Sequence, residues 1–142
     1  MGATPHILIV DDDPRFLELL ELNLTKAGYR ITGALTGEEA LWVVQNDRPD
    51  LVILDIVMPG MGGWEVADRL NTSTKEAIPF IFLTAKGQPQ HRLTGLGLGA
   101  MEYVTKPFHP DQLLEIIQKI LPVKGWLSLP PVARQVTDRE DT

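Results

Sequence analysis

Five short apolar runs punctuate this chain: "HILIV" (6–10), "RITGAL" (30–35), "DLVILD" (50–55), "PFIFLT" (79–84) and "EYVT" (102–105). They lack the clean polar–apolar alternation of a strand with one wet face, so a sheet built from them must be covered on both sides. Amphipathic stretches of helical period separate them. Pro14 to Lys26 is predicted as a helix closed by Gly28. Thr36 caps a second carrying Ala40, Leu41, Val43 and Val44, and a third runs from about Trp64 to Leu70. The last, Asp111 to Leu121, places Leu113, Leu114, Ile116, Ile117, Ile120 and Leu121 on one face. Strand followed by helix, repeated, predicts an α/β fold: a doubly wound five-stranded parallel sheet with helices on both faces. Gly87 to Gly99 is predicted as a helix of low local stability, since its glycines at 95, 97 and 99 each cost ~1 kcal/mol relative to alanine. Trp42 and Trp64 are expected on helix faces that pack against the sheet.

In such a fold, ligands bind at the carboxyl ends of the strands, near the point where strand order reverses. Polar residues dispersed along the chain therefore converge there. Asp11 and Asp12 end the first strand, Asp55 the third and Thr84 the fourth, and Lys106 follows the fifth. Asp13 has a simpler role as N-cap, with Pro14 at the first helical position.

Three carboxylates gathered at one strand edge need a counter-charge. A hard cation with oxygen ligands, Mg²⁺, suits Asp11, Asp12 and Asp55, and the lack of His or Cys among them argues against zinc. Lys106 adds a compact positive charge suited to a phosphate, and Thr84 a hydroxyl able to donate to a phosphoryl oxygen. Asp55 then has the makings of a nucleophile that attacks phosphorus and forms an aspartyl-phosphate. His6, His91 and His109 are far apart in sequence and read as structural or surface residues.

Composition narrows the remaining classes. A net charge of -6 and a pI near 5.0 argue against broad nucleic-acid or anionic-membrane binding. The absence of cysteine excludes disulfides and thiolate chemistry. No apolar run approaches the ~20 residues of a membrane span, and "MGATPH" is not a secretory signal. A cytoplasmic location is expected. The 142 residues are enough for one domain with a proper core.

Four motifs, "ILIVDDDP", "LVILDIVMPGMGG", "FLTA" and "YVTKPF", occur in order and at the intervals of a known family. Over roughly residues 5–121 the chain resembles the receiver domains of two-component response regulators, of the chemotaxis-regulator type. The resemblance implies a flavodoxin-like receiver fold spanning residues 1–121. It makes Asp55 the phosphoacceptor, Asp11 and Asp12 the other acidic residues of a Mg²⁺ site, and Val57 the donor of a backbone carbonyl to the metal. Thr84 and Lys106 would contact the phosphoryl group, Thr84 and Tyr103 would form the switch, and the bond before Pro107 would be cis. The implied partner is a sensor histidine kinase, with a homodimer as an outcome of phosphorylation. Such a chain catalyses its own phosphorylation and dephosphorylation without being a turnover enzyme. Departures from the pattern are Met101 and Glu102, where paired acidic residues often occur, and Ile116, where the receivers of winged-helix factors usually carry arginine. The latter weakens the expectation of their symmetric dimer. Lys86 occupies a variable position that influences phosphoryl lifetime in related receivers.

Residues 122–142 change character, being rich in proline and charge, and read as a tail or linker. Within them "VTDRE" (136–140) is similar to the opening of the helix-turn-helix output domain of LuxR-type regulators. On that reading the tail is the start of a truncated output domain, and DNA is reached only through the part not in this chain. Two rival classes share parts of the pattern. A haloacid-dehalogenase-type phosphatase also uses aspartate and Mg²⁺ and needs Asp-x-Asp after its first strand, a spacing that "DDDP" contains trivially, but here the phosphoacceptor context sits on the third strand. A plain interaction module predicts loss of an acidic residue or the lysine, and all are present.

Overall fold

The structure, a computed structural model, describes residues 4–56, 58, 60–73, 78–84, 100, 102–106 and 108–123. Chain order is β1 (His6–Val10), α1 (Pro14–Lys26), β2 (Arg30–Ala34), α2 (Gly37–Asn46), β3 (Leu51–Leu54), α3 (Gly63–Ser73), β4 (Phe80–Thr84), β5 (Glu102–Thr105) and α4 (Pro110–Ile120). The strands form one parallel sheet in the order β2-β1-β3-β4-β5. Strand order therefore reverses beside β1, between β1 and β3.

Period-two alternation sorts the strand residues onto two cores. Leu8, Val10, Val52, Leu54, Phe80, Phe82 and Tyr103 face one side, packed with Ala40, Val43 and Val44 of α2 and Val66, Ala67 and Leu70 of α3. Ile7, Ile9, Leu51, Ile53, Ile81 and Leu83 face the other, against Leu20 and Leu24 of α1 and Leu113 and Ile117 of α4. Burial on both faces is why the sequence shows apolar runs where a one-sided sheet would alternate.

The caps follow local chemistry. The Asp13 side chain accepts from the Arg15 N–H at 3.0 Å, as its N-cap position predicts. Thr36 accepts from Glu39 N–H at 3.1 Å and starts α2. Gly28 closes α1 with φ +105, a conformation that side chains disfavour, and a Cβ there would lie 2.9 Å from Val123. His109 caps α4 by accepting from Asp111 N–H, while the Gln112 side chain returns to His109 N–H. One expectation is corrected. Trp64 packs inward, with its ring 4.7 Å from Phe82, but Trp42 is 64% exposed. At ~100° per residue, Trp42 lies ~200° around α2 from Ala40, away from the sheet. The predicted 87–99 helix and the "VTDRE" resemblance lie outside the described residues.

At the amino-terminal edge of the sheet, polar groups satisfy one another. The buried His6 ring bonds the Thr32 hydroxyl through Nε2 at 2.7 Å, and its Nδ1 lies 3.4 Å from the Arg48 carbonyl. His6 N–H donates to Asp50 at 2.8 Å. Arg30 makes a two-pronged contact with Asp47 at 2.9 and 3.1 Å, which holds the Asp47 carboxyl below its ordinary range. Tyr29 donates toward Gln118 Oε1 at 2.9 Å and the Leu121 carbonyl at 2.7 Å. Burial raises its hydroxyl from 10.0 to about 12.

Candidate functional site

The carboxyl-terminal edge is built by the same register. Val10 pairs with Leu54, so the next residues, Asp11 and Asp55, emerge side by side. Backbone bonds hold both in place: Asp55 N–H donates to the Val10 carbonyl at 2.9 Å, and Asp11 N–H to the Ala34 carbonyl at 3.1 Å. Asp11 and Asp55 continue the parity of Ile9 and Ile53, and Lys106 that of Val104. All three are thereby directed to the face covered by α1 and α4.

Asp11, Asp12 and Asp55 each offer a carboxylate oxygen, and these atoms lie within 4.8 Å of one another. Asp11 is 2% exposed and Asp55 7%, whereas Asp12 is open to solvent. Lys106 Nζ reaches in from beyond β5, 2.7 Å from Asp11 Oδ2 and 3.7 Å from Asp55 Oδ2. One Asp11 oxygen also accepts the Asp13 N–H at 3.0 Å, which ties the first strand end to the start of α1. Among the described residues three carboxylates share one ammonium, a deficit of positive charge, and the all-oxygen donor set fits a hard divalent cation.

Of the residues expected at this site, Asp11, Asp12, Asp55 and Lys106 are brought together. Thr84 ends β4, and its side chain is outside what the structure describes, as are Val57, Lys86 and Pro107. Tyr103 lies on β5 and is 3% exposed, with its ring 6.2 Å from Phe82. The aromatic stack of Trp64, Phe80 and Phe82 on that face gives the ring apolar neighbours.

Sequence reasoning missed two residues. Gly63 opens α3 directly over the Asp55 backbone, where an added Cβ would stand 2.3 Å from the Asp55 carbonyl oxygen. The signal was there in "MPGMGG", as a glycine next to a helix start. Phe16 of α1 turns its ring face to Lys106, with Nζ 4.0 Å from the centroid, and Phe108 meets that ring edge-on at 5.9 Å. Nothing local in "DDDPRF" distinguishes this phenylalanine from a core residue.

Fold and pocket together define a doubly wound α/β domain with an acidic site at its topological switch point. Residues 7–118 match the family described as response regulator receiver domain. The chain belongs to that family, and is a receiver domain of the two-component type. The probable transcriptional regulator ycf27 of Cyanophora paradoxa is 44% identical over 115 residues, covering 81% of this chain and 47% of that protein. The phosphate regulon transcriptional regulatory protein PhoB of Pseudomonas aeruginosa is 37% identical over 143 aligned residues, covering 92% of this chain and 62% of that one. Among solved structures, the chemotaxis protein CheY4 of Vibrio cholerae superposes with a TM-score of 0.76 at 34% identity, covering 84% of this chain and all of that one. The chain spans about half the length of curated relatives such as the Cyanophora protein. No helix among the described residues is long and apolar enough to cross a membrane.

Proposed function

We propose that this receiver takes a phosphoryl group onto Asp55 from a phosphohistidine on a sensor histidine kinase. The observation that carries the reading is the meeting of Asp11, Asp12 and Asp55 within 4.8 Å, with Lys106 inserted between two of them. An Asp55 carboxylate oxygen forms the new bond to phosphorus as the P–N bond to the donor imidazole breaks. The imidazole leaves with the electron pair and takes up a proton from solvent. Lys106 counters negative charge on the transferring group, and Thr84 is the hydroxyl partner of the product phosphoryl. Asp11, Asp12 and Asp55, with the Val57 carbonyl, would hold Mg²⁺, which supplies charge neutralisation between the phosphoryl oxygens and the carboxylates. Tyr103 and Thr84 form the switch, and Pro107 follows the lysine through a cis bond.

Residues 1–121 are the receiver unit and 122–142 a tail or linker leading toward an output domain. The names of curated relatives, transcriptional regulators of which the matched segment is about half, and of RpaA from Synechocystis, described as DNA-binding, support an output in transcription exerted through a DNA-binding domain. Dimerisation on phosphorylation and a cytoplasmic location complete the reading.

The test is incubation with Mg²⁺ and a small phosphodonor, read by intact mass. A single phosphoryl adduct on wild type that is absent from Asp55→Asn is expected. Donor turnover without adduct would mark a phosphatase instead. No change at all, or equal labelling of Asp55→Asn, would overturn the assignment.

A further inference from the structure

Lys106 is held on three sides, and only two of them are carboxylates. Its ammonium bonds Asp11 Oδ2 at 2.7 Å and lies 3.7 Å from Asp55 Oδ2, beyond direct hydrogen-bond reach. The third side is the face of Phe16, 4.0 Å from Nζ to the centroid. That is well within the range over which a ring quadrupole attracts a cation. Phe16 is itself fixed. It packs on the α1–α4 side of the core, and Phe108 meets it edge-on at 81°. The ring is thus a buttress between α1 and the segment after β5 that carries the lysine.

A carboxylate and an aromatic face hold an ammonium in different ways. The bond to Asp11 is directional and short, so it pins Nζ on the Asp11 side. The π attraction is spread over the ring face and changes little as Nζ slides across it. An ammonium meant to serve a group on Asp55 must move toward Asp55 from the 3.7 Å position. Leucine at position 16 would fill a similar volume but give the cation nothing to ride on, and would leave Nζ to water or to Asp11.

We propose that Phe16 is a positioning residue: its ring face holds the Lys106 ammonium between Asp11 and Asp55 and lets it pass to the phosphoryl group without losing a partner. The proposal rests on the Asp55 phosphoacceptor reading above. It predicts that the identity of residue 16 as aromatic, rather than merely apolar, sets the rate of phosphoryl transfer.

The experiment uses the full chain with Phe16→Leu and Phe16→Trp beside wild type. Two quantities are measured. One is the NMR shift of the Lys106 ε-methylene, which the ring current of an overlying aromatic moves upfield whether or not any phosphoryl is present. The other is the rate of adduct formation at saturating acetyl phosphate and Mg²⁺. The upfield shift should be present in wild type and Phe16→Trp and lost in Phe16→Leu. Adduct formation should slow roughly three- to tenfold in Phe16→Leu, the scale of one partly desolvated cation–π contact, and stay within about twofold of wild type in Phe16→Trp. Equal rates in Phe16→Leu and wild type would overturn the proposal, as would a Trp variant as slow as the Leu variant. Slowing without any change in the Lys106 shift would also overturn it, because the ring would then act by packing alone. If wild type forms no adduct yet the shift contrast holds, the phosphoacceptor reading fails while Phe16 still holds Lys106.

Discussion

The two ends of the parallel sheet carry polar clusters of similar make-up and opposite logic. At the amino-terminal edge the contacts are made donor to acceptor: Arg30 pairs with Asp47, the His6 N–H meets Asp50, and the His6 ring meets the Thr32 hydroxyl. At the carboxyl edge, Asp11, Asp12 and Asp55 gather and Lys106 reaches two of them, so among the described residues three negative charges share one positive. The first cluster closes a fold; the second is arranged so that an added cation and a phosphoryl group complete it. Fold stability explains the former and leaves the latter in deficit. In a protein that is marginally stable, a standing electrostatic deficit points to function.

The sharpest break in this contrast comes from removing Lys106, the cation that the described residues place at the carboxyl edge. Lys106→Ala should lower stability by about 3 kcal/mol at low salt without Mg²⁺, since it strands two poorly solvated carboxylates. Adding Asp11→Asn to that variant should recover much of the loss, a coupling that urea denaturation of the four proteins of the cycle reads directly. A loss no larger than those at the other edge would remove the distinction between the two clusters.

At the amino-terminal edge a smaller effect is expected, because removing the His6 ring breaks hydrogen bonds without stranding a pair of buried carboxylates. His6→Leu takes the ring from the Thr32 hydroxyl and the Arg48 carbonyl, and should cost about 2 kcal/mol with no effect on phosphoryl labelling. Labelling that falls along with stability would show that the two edges are not independent.

Smallest is Tyr29→Phe, about 1 kcal/mol near neutral pH, from the lost bonds to Gln118 and Leu121. Its signature lies in pH dependence. The unfolded tyrosine ionises near 10.0 and the folded one near 12, so in that interval the unfolded state gives up its proton first. The tyrosine's contribution is complete below pH 10 and falls as pH rises toward 12. Thermal melts across that interval should show a steeper loss of stability in wild type than in Tyr29→Phe.

What the sequence determined by itself was whatever depends on neighbours along the chain. Apolar runs bounded by turn residues marked every strand, because a doubly covered parallel strand needs no polar face, and short-range bonds from Asp13 and Thr36 marked the helix starts. Placing a site at strand ends was also legible, since parallel topology puts all carboxyl ends on one edge. Tertiary structure alone decided which side chains met there and what supported them. Trp42 and Trp64 are alike in composition, yet one is exposed and the other packs on Phe82, because each helix turns a different angle toward the sheet. Gly63 matters only because α3 starts over the Asp55 carbonyl. Phe16 meets Lys106 across ninety residues of sequence, an approach that no local pattern encodes, because it is fixed by α1 and the segment after β5 sharing one face of the sheet.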